Sequence, residues 1–331
     1  MMLNKKWIPI VMISCFLFIF LTGCAPIQKI ETKNTNTSEK SDANETAYAT
    51  RKFKHYKGET EVPANPKRVI LLGRYLDQMI ALGVQPMAAP NWEKWIGDVF
   101  PKHLQDKIVG EIMPIEDESK PNYESLLALD PDLIIGSQWM ARNYEELSKI
   151  APTVLIDESK PLFPHTLLQL GELFNKKERA EQIIQEYNKK ANEAKQKLAD
   201  AVGNETFIFV RLSGDKLYTI YGPRGDQTGR LLYTDLGLKM LDGVPNFDPS
   251  GQAELSLEGF LQLNPDHIFI FTDIVDDANN QLKELEYSNV WKSLKAVKNK
   301  QVYDGSEYFL LAMGPIGSKL AIDDIVSQII K

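Results

Sequence analysis

Asn122-Tyr-Glu-Ser-Leu-Leu-Ala-Leu-Asp-Pro-Asp-Leu-Ile-Ile135 returns later in the chain as Ser256-Leu-Glu-Gly-Phe-Leu-Gln-Leu-Asn-Pro-Asp-His-Ile-Phe269. Glu, a pair of apolar positions, Leu, Pro-Asp and a following apolar run stand in the same register in both copies. Each copy reads as an amphipathic helix halted by proline, then a turn, then a buried strand. A unit used twice predicts two lobes built on one plan.

Working outward, Val62-Pro-Ala-Asn-Pro-Lys-Arg-Val-Ile-Leu-Leu72 is a turn-rich lead into a short apolar run. Tyr75–Gly83 then has helical spacing, with Gly83 placed as a C-terminal cap. Further strands are predicted at Leu133–Gly136, Thr153–Ile156, Phe207–Arg211, Leu217–Ile220, His267–Thr272 and Gln301–Tyr303, alternating with helical stretches. That alternation argues for α/β layers around mostly parallel sheets. Between Pro164 and Val202, His165–Phe174 and Lys177–Ala201 are rich in Lys, Glu, Gln and Ala and read as helix. Placed midway, this segment predicts a long helix joining two α/β halves: an N-terminal lobe at 55–163, the connection at 164–202 and a C-terminal lobe at 203–331.

The N-terminus predicts export. Lys5 and Lys6 precede Trp7–Leu21, which is apolar except for Pro9 and Ser14 and is short for a spanning helix. Leu21-Thr-Gly-Cys24 resembles the site of bacterial lipoprotein processing, which makes residues 1–23 a signal and Cys24 the lipid-bearing first residue of the mature chain. Residues 24–54, dominated by Thr, Asn, Ser, Lys and Glu, read as a tether too polar to bury a core. Losing the signal removes two lysines and no acid, taking the formal charge from −7 to −9, so a basic nucleic-acid footprint is absent. The other cysteine, Cys15, lies in the signal, which leaves no pair to oxidise and no thiolate cluster for zinc. About 280 residues remain beyond the tether, enough for two apolar cores.

The lipoprotein signal, the Val-Pro-Ala-Asn-Pro-Lys-Arg-Val opening, both Leu-x-Pro-Asp units and the mid-chain helix together resemble the substrate-binding lipoproteins of bacterial ABC importers for ferric siderophores. This helix-linked class also includes haem and cobalamin receptors, and the match covers nearly all of residues 55–331. The resemblance implies two Rossmann-like α/β lobes bridged by one long helix, with the ligand held between them and modest lobe closure. It also implies that a glutamate on each lobe docks on arginines of the permease dimer, which works with its ATPase. By register these are Glu124 and Glu258, with Glu116 and Glu254 close by. A lipid at Cys24 would hold the receptor on the outer face of the cytoplasmic membrane and suits a cell without an outer membrane.

In α/β folds ligands gather in loops after the strands. That rule nominates Arg74, Trp139, Arg142 and Arg211, together with Arg224 in the loop Tyr221–Gly229. Arginine suits an oxygen-rich ligand because its planar fork donates several bonds and keeps its charge when partly desolvated. Trp92, Trp139, Tyr218 and Tyr308 are candidate aromatic walls, with core packing the competing role for each. The glycines at 222, 225 and 229 lack the Lys-Ser/Thr ending of a phosphate loop. His55, His103, His165 and His267 are scattered, so no metal site or cofactor is expected, and iron would arrive inside its chelator. A hydroxamate or citrate-hydroxamate chelate, of small net charge, fits the arginines and tryptophans. A lipid-anchored hydrolase is the rival from another class, but Gly-x-Ser-x-Gly, His-Glu-x-x-His and a cysteine nucleophile are all missing.

Overall fold

The fold comes from a computed structural model that describes residues 49–330, except 160–161, 215–216, 225–226, 245–246, 249–250 and 274–275. The signal 1–23, Cys24 and most of the tether lie outside the described residues. The tether assignment is corrected at its end. Thr50–His55 (β1) and Gly58–Pro63 (β2) pair as an antiparallel hairpin. Phe53, His55 and Val62 turn inward while lysines and glutamates face water, so this stretch buries enough to order itself. Arg51 donates to the carbonyls of Glu172 and Leu173 at 2.8 and 2.6 Å, placing a cation at the end of a helix.

Val69–Leu72 (β3), Ala88–Pro90 (β4), Met113–Ile115 (β5), Leu133–Ser137 (β6) and Thr153–Ile156 (β7) form a parallel sheet in the order β5-β4-β3-β6-β7. The chain winds outward from β3 in one direction and then, from β6, in the other, so a crevice opens where β3 and β6 end. Thr206–Leu212 (β8), Tyr218–Tyr221 (β9), Lys239–Met240 (β10), Gln252–Leu255 (β11), His267–Thr272 (β12) and Val302–Asp304 (β13) make the second sheet. Its main path is β11-β9-β8-β12-β13, with β10 beside the start of β8 and β9 antiparallel to both neighbours. The two sheets with their helices are the two α/β lobes.

Alternation along the strands separates the cores. Val69 and Leu71 of β3 join Phe207 and Phe209 of β8 in one apolar cluster that runs through both lobes. Ile70 and Leu72 face a second cluster within the N-terminal lobe, and Ile208 and Val210 face a third within the C-terminal lobe. The connection differs from one rod spanning 164–202. The helix Leu162–Leu173 is broken near its start by extended Phe163, and Asn175 at φ 54 turns the chain before the 26-residue helix Lys177–Val202. Gly171 lets the two helices touch, since a Cβ there would lie 2.7 Å from that of Ala180. The long helix buries Ala180, Ile183, Tyr187, Ala191, Ala194 and Leu198, one stripe at three- and four-residue spacing.

The repeat has a common structural role. Asp130 and Asn264 both take left-handed backbone angles, φ 46 and 42. Two residues on, Asp132 accepts the amides of Lys67 and Arg68 at 2.6 and 2.9 Å, and Asp266 accepts the amide and hydroxyl of Thr206, both at 2.8 Å. Each Pro-Asp therefore clasps the lead into the central strand of its own lobe.

The last helix, Pro315–Ile329, packs on the long helix and on Leu76–Ala81 of the N-terminal lobe. Its N-cap position is Gly314, which supplies no side chain. Asp77 supplies the cap instead, accepting the amides of Ile316 at 2.9 Å and Gly317 at 2.8 Å. Any Cβ on residue 314 would collide with Asp77. Gln78 adds a bond to the Met313 carbonyl at 2.8 Å. Replacing Asp77 with alanine strands one buried and one part-buried amide and is expected to destabilise the fold by about 2–3 kcal/mol. The urea midpoint should fall with little change in slope.

Candidate functional site

Where β3 ends, Arg74 lays its guanidinium over the ring of buried Trp92, 5.5 Å from the centroid. Where β8 ends, Arg211 lies 5.6 Å from the ring centroid of Phe271, which in turn stacks on Phe309 at 5.7 Å and 8°. The two cation-on-aromatic pairs line one cavity of about 550 Å³ between the lobes, to which His103 and Asp273 also contribute. A second cavity of about 400 Å³ lies where β3, β6 and β7 end and contains Arg74, Arg142, Trp139, Glu118 and Glu158. Arg74 borders both cavities. The doubly wound order places that crevice there, because the loops after β3 and β6 leave on opposite sides.

Arg211 and Arg74 are held rather than loose. Arg211 makes a two-pronged pair with Asp273, at 2.9 and 2.8 Å, and reaches the Tyr221 hydroxyl at 3.2 Å. Hydrogen bonding to Asp273 raises its pKa and fixes its charge. Arg74 pairs with Glu118 at 3.7 Å. Glu158 accepts a hydrogen bond from the Tyr75 hydroxyl. Burial pushes the pKa of both glutamates up, against the pull of Arg74 and, for Glu158, against the bond from Tyr75. Trp139 is 76% exposed on the rim. Arg142 forms no ion pair among the described residues. His103, at the cavity wall, bonds Asp77 at 3.1 Å with both side chains nearly buried.

Of the predicted site residues, the structure brings Arg74, Trp92 and Arg211 to the interlobe cavity and Arg74, Trp139 and Arg142 to the N-terminal one. Three others belong elsewhere. Tyr218 stacks on Phe260 inside the C-terminal core, 5.7 Å between centroids, because β9 turns it toward the sheet's outer face. Tyr308 is buried, donating its hydroxyl to Asp324 at 2.5 Å with its ring on Phe269. Arg224 stands exposed on a turn and lines neither cavity. Glu118, Glu158 and Asp273 were not predicted, although all follow strands as the nominated arginines do. Among the described residues no group of three His, Cys, Asp or Glu could hold a metal ion, and no helix is long and apolar enough to cross a membrane.

Two α/β lobes tied by a helix, with facing arginines on a shared cleft, define a bilobal solute-binding protein. The chain belongs to the periplasmic binding protein family, whose profile matches residues 69–308. It is 30% identical to a probable siderophore-binding lipoprotein of Bacillus subtilis, YfiY, over 95% of this chain and 97% of that one. It is 26% identical to the iron(3+)-hydroxamate-binding protein YxeB of the same organism, over 99% and 98%. Among solved structures, Staphylococcus aureus SirA complexed with staphyloferrin B matches with a TM-score of 0.71 at 28% identity, over 84% of this chain and 98% of that one.

Alanine at Arg74 or Arg211 is expected to weaken binding of ferrioxamine E by about ten- to a hundred-fold, the loss of one charged hydrogen bond. Arg224→Ala should leave it unchanged. Calorimetric titration of the three variants checks the assignment.

Proposed function

We propose that this protein is a non-catalytic receptor that captures a ferric siderophore outside the cytoplasmic membrane and delivers it to an ABC importer. The observation that carries the reading is the pairing across the cleft: one guanidinium on an aromatic face from each lobe, at near-equivalent strand ends. A chelate offers carbonyl and hydroxamate oxygens to such forks and an apolar skeleton to the rings. The hydroxamate or citrate-hydroxamate type is favoured because the cations of the cleft are matched by neighbouring acids, Arg211 by Asp273 and Arg74 by Glu118. The YxeB relative's name points the same way. Iron is the cargo's own metal, and the protein needs no cofactor.

In this reading residues 1–23 are removed, and Cys24 carries a lipid that keeps the receptor beside its permease. The lobes then comprise about 50–163 and 203–331, joined by the helices between them. Glu124 and Glu258 are the docking residues. Each is exposed in the first turn of a helix that starts at the side where the strands of its sheet end. Asn122 and Ser256 cap the two helices alike, accepting the amides of Ser125 at 3.0 Å and Gly259 at 3.2 Å.

Intrinsic tryptophan fluorescence tests the ligand, because Trp92 and Trp139 line the cavities. Saturable quenching by ferrioxamine E or a ferric citrate-hydroxamate chelate is expected; a response to haem or cobalamin alone, or to no iron chelate, would sink the reading. Joint replacement of Glu124 and Glu258 by alanine should abolish iron uptake by cells while leaving binding intact. A parallel loss of affinity would remove the docking role.

A further inference from the structure

We propose that Glu118 and Glu158 set the charge of the ligand: they keep the N-terminal cavity electrically balanced, so it takes a ferric chelate of small net charge and turns away a polyanionic one. The proposal rests on the reading of the cleft as a ferric-chelate site. Two guanidiniums, Arg74 and Arg142, and two carboxyls, Glu118 and Glu158, face the same space of about 400 Å³. Glu118 sits 3.7 Å from Arg74, so half of the cavity's positive charge is already answered. Glu158 is anchored by the Tyr75 hydroxyl, which fixes a second carboxyl on the wall. Burial raises the pKa of both groups, against the pull of Arg74, which places them in a partly desolvated wall of the cavity. The interlobe cavity repeats the pattern, with Arg211 matched by Asp273 at 2.8 Å and Lys102 by Asp98 at 3.8 Å.

Chelate chemistry turns that balance into selectivity. Three singly charged hydroxamates cancel the charge of Fe³⁺, whereas three doubly charged catecholates leave a net charge of minus three. A neutral chelate can take hydrogen bonds from Arg74 and Arg142 without confronting the carboxylates. A trianion must approach both of them in a partly desolvated space, where Coulomb repulsion is weakly screened. With the carboxylates gone, the same two arginines would become an anion site. Glutamates in this cavity thus exclude a class of ligand rather than bind one.

The test compares Glu118→Gln, Glu158→Gln and the double variant with the unmodified protein, titrating each by tryptophan quenching with neutral ferrioxamine E and with a ferric tris-catecholate. The expected result is a rise of about tenfold or more in the ratio of catecholate to ferrioxamine affinity in the double variant, smaller at high salt. A ratio that stays constant or falls overturns the proposal, as does an unmodified protein that already prefers the catecholate. Loss of both ligands in every variant assigns the glutamates to packing and overturns it too. Glu118 lies in a loop, so E118Q alone should show the same direction if E158Q fails to fold. Failure of the unmodified protein to bind either chelate refutes the ferric-chelate reading itself, which separates the two failures.

Discussion

The carboxylate of Asp77 closes the molecule. A helix beginning at Gly314-Pro315 has no side chain of its own to accept its first amides, and these lie part-buried and buried against the N-terminal lobe. An unmet buried donor is costly, so the arrangement persists only with an acceptor at that point. Asp77 provides it from the opposite end of the sequence, and Gly314 provides the room. The lobes are thereby joined twice, by the helix Lys177–Val202 and by the capped last helix packed against it. His103 touches the same carboxylate while lining the cleft, so the wall of the ligand cavity is built on this junction.

Charge matching governs the cleft in the same way. Arginines near the ends of strands are common anion seats, yet here Arg211 is gripped by Asp273 and Arg74 leans on Glu118. Such pairing orients the guanidiniums and lowers the field they project. Their remaining N–H groups are offered as directional donors rather than as net charge. Aromatic faces beneath both arginines complete a surface that is apolar at its base and polar at its edge.

Much of this was legible in the sequence wherever local chemistry and tertiary role coincide. Thr153–Ile156 and His267–Thr272 are strands with the predicted limits, because each is a short apolar run bounded by polar or turn residues. The Pro-Asp repeat announced two like lobes, and the structure adds that its aspartates clasp the central strands. The hairpin at 50–63 was hidden by its lysines and glutamates, although Phe53 and His55 alternate across the turn from Thr60 and Val62. Tyr218 and Tyr308 were ambiguous because an aromatic ring serves a core and a ligand wall equally well, and only strand orientation decides. Glu118 and Glu158 obey the same loop-after-strand rule that found Arg74. They are harder to read from sequence because an oxygen-rich ligand calls for cations, and an acid beside such a site has no signature of its own.

The long helix has the length of a lever. Its 26 residues span about 39 Å, and its buried stripe is embedded in an apolar cluster that runs through both lobes. A bar of that length tilted by only three degrees or so displaces its far end by about 2 Å. A small change of angle between the lobes would therefore be legible at their outer ends as a change in the spacing between distant surface groups.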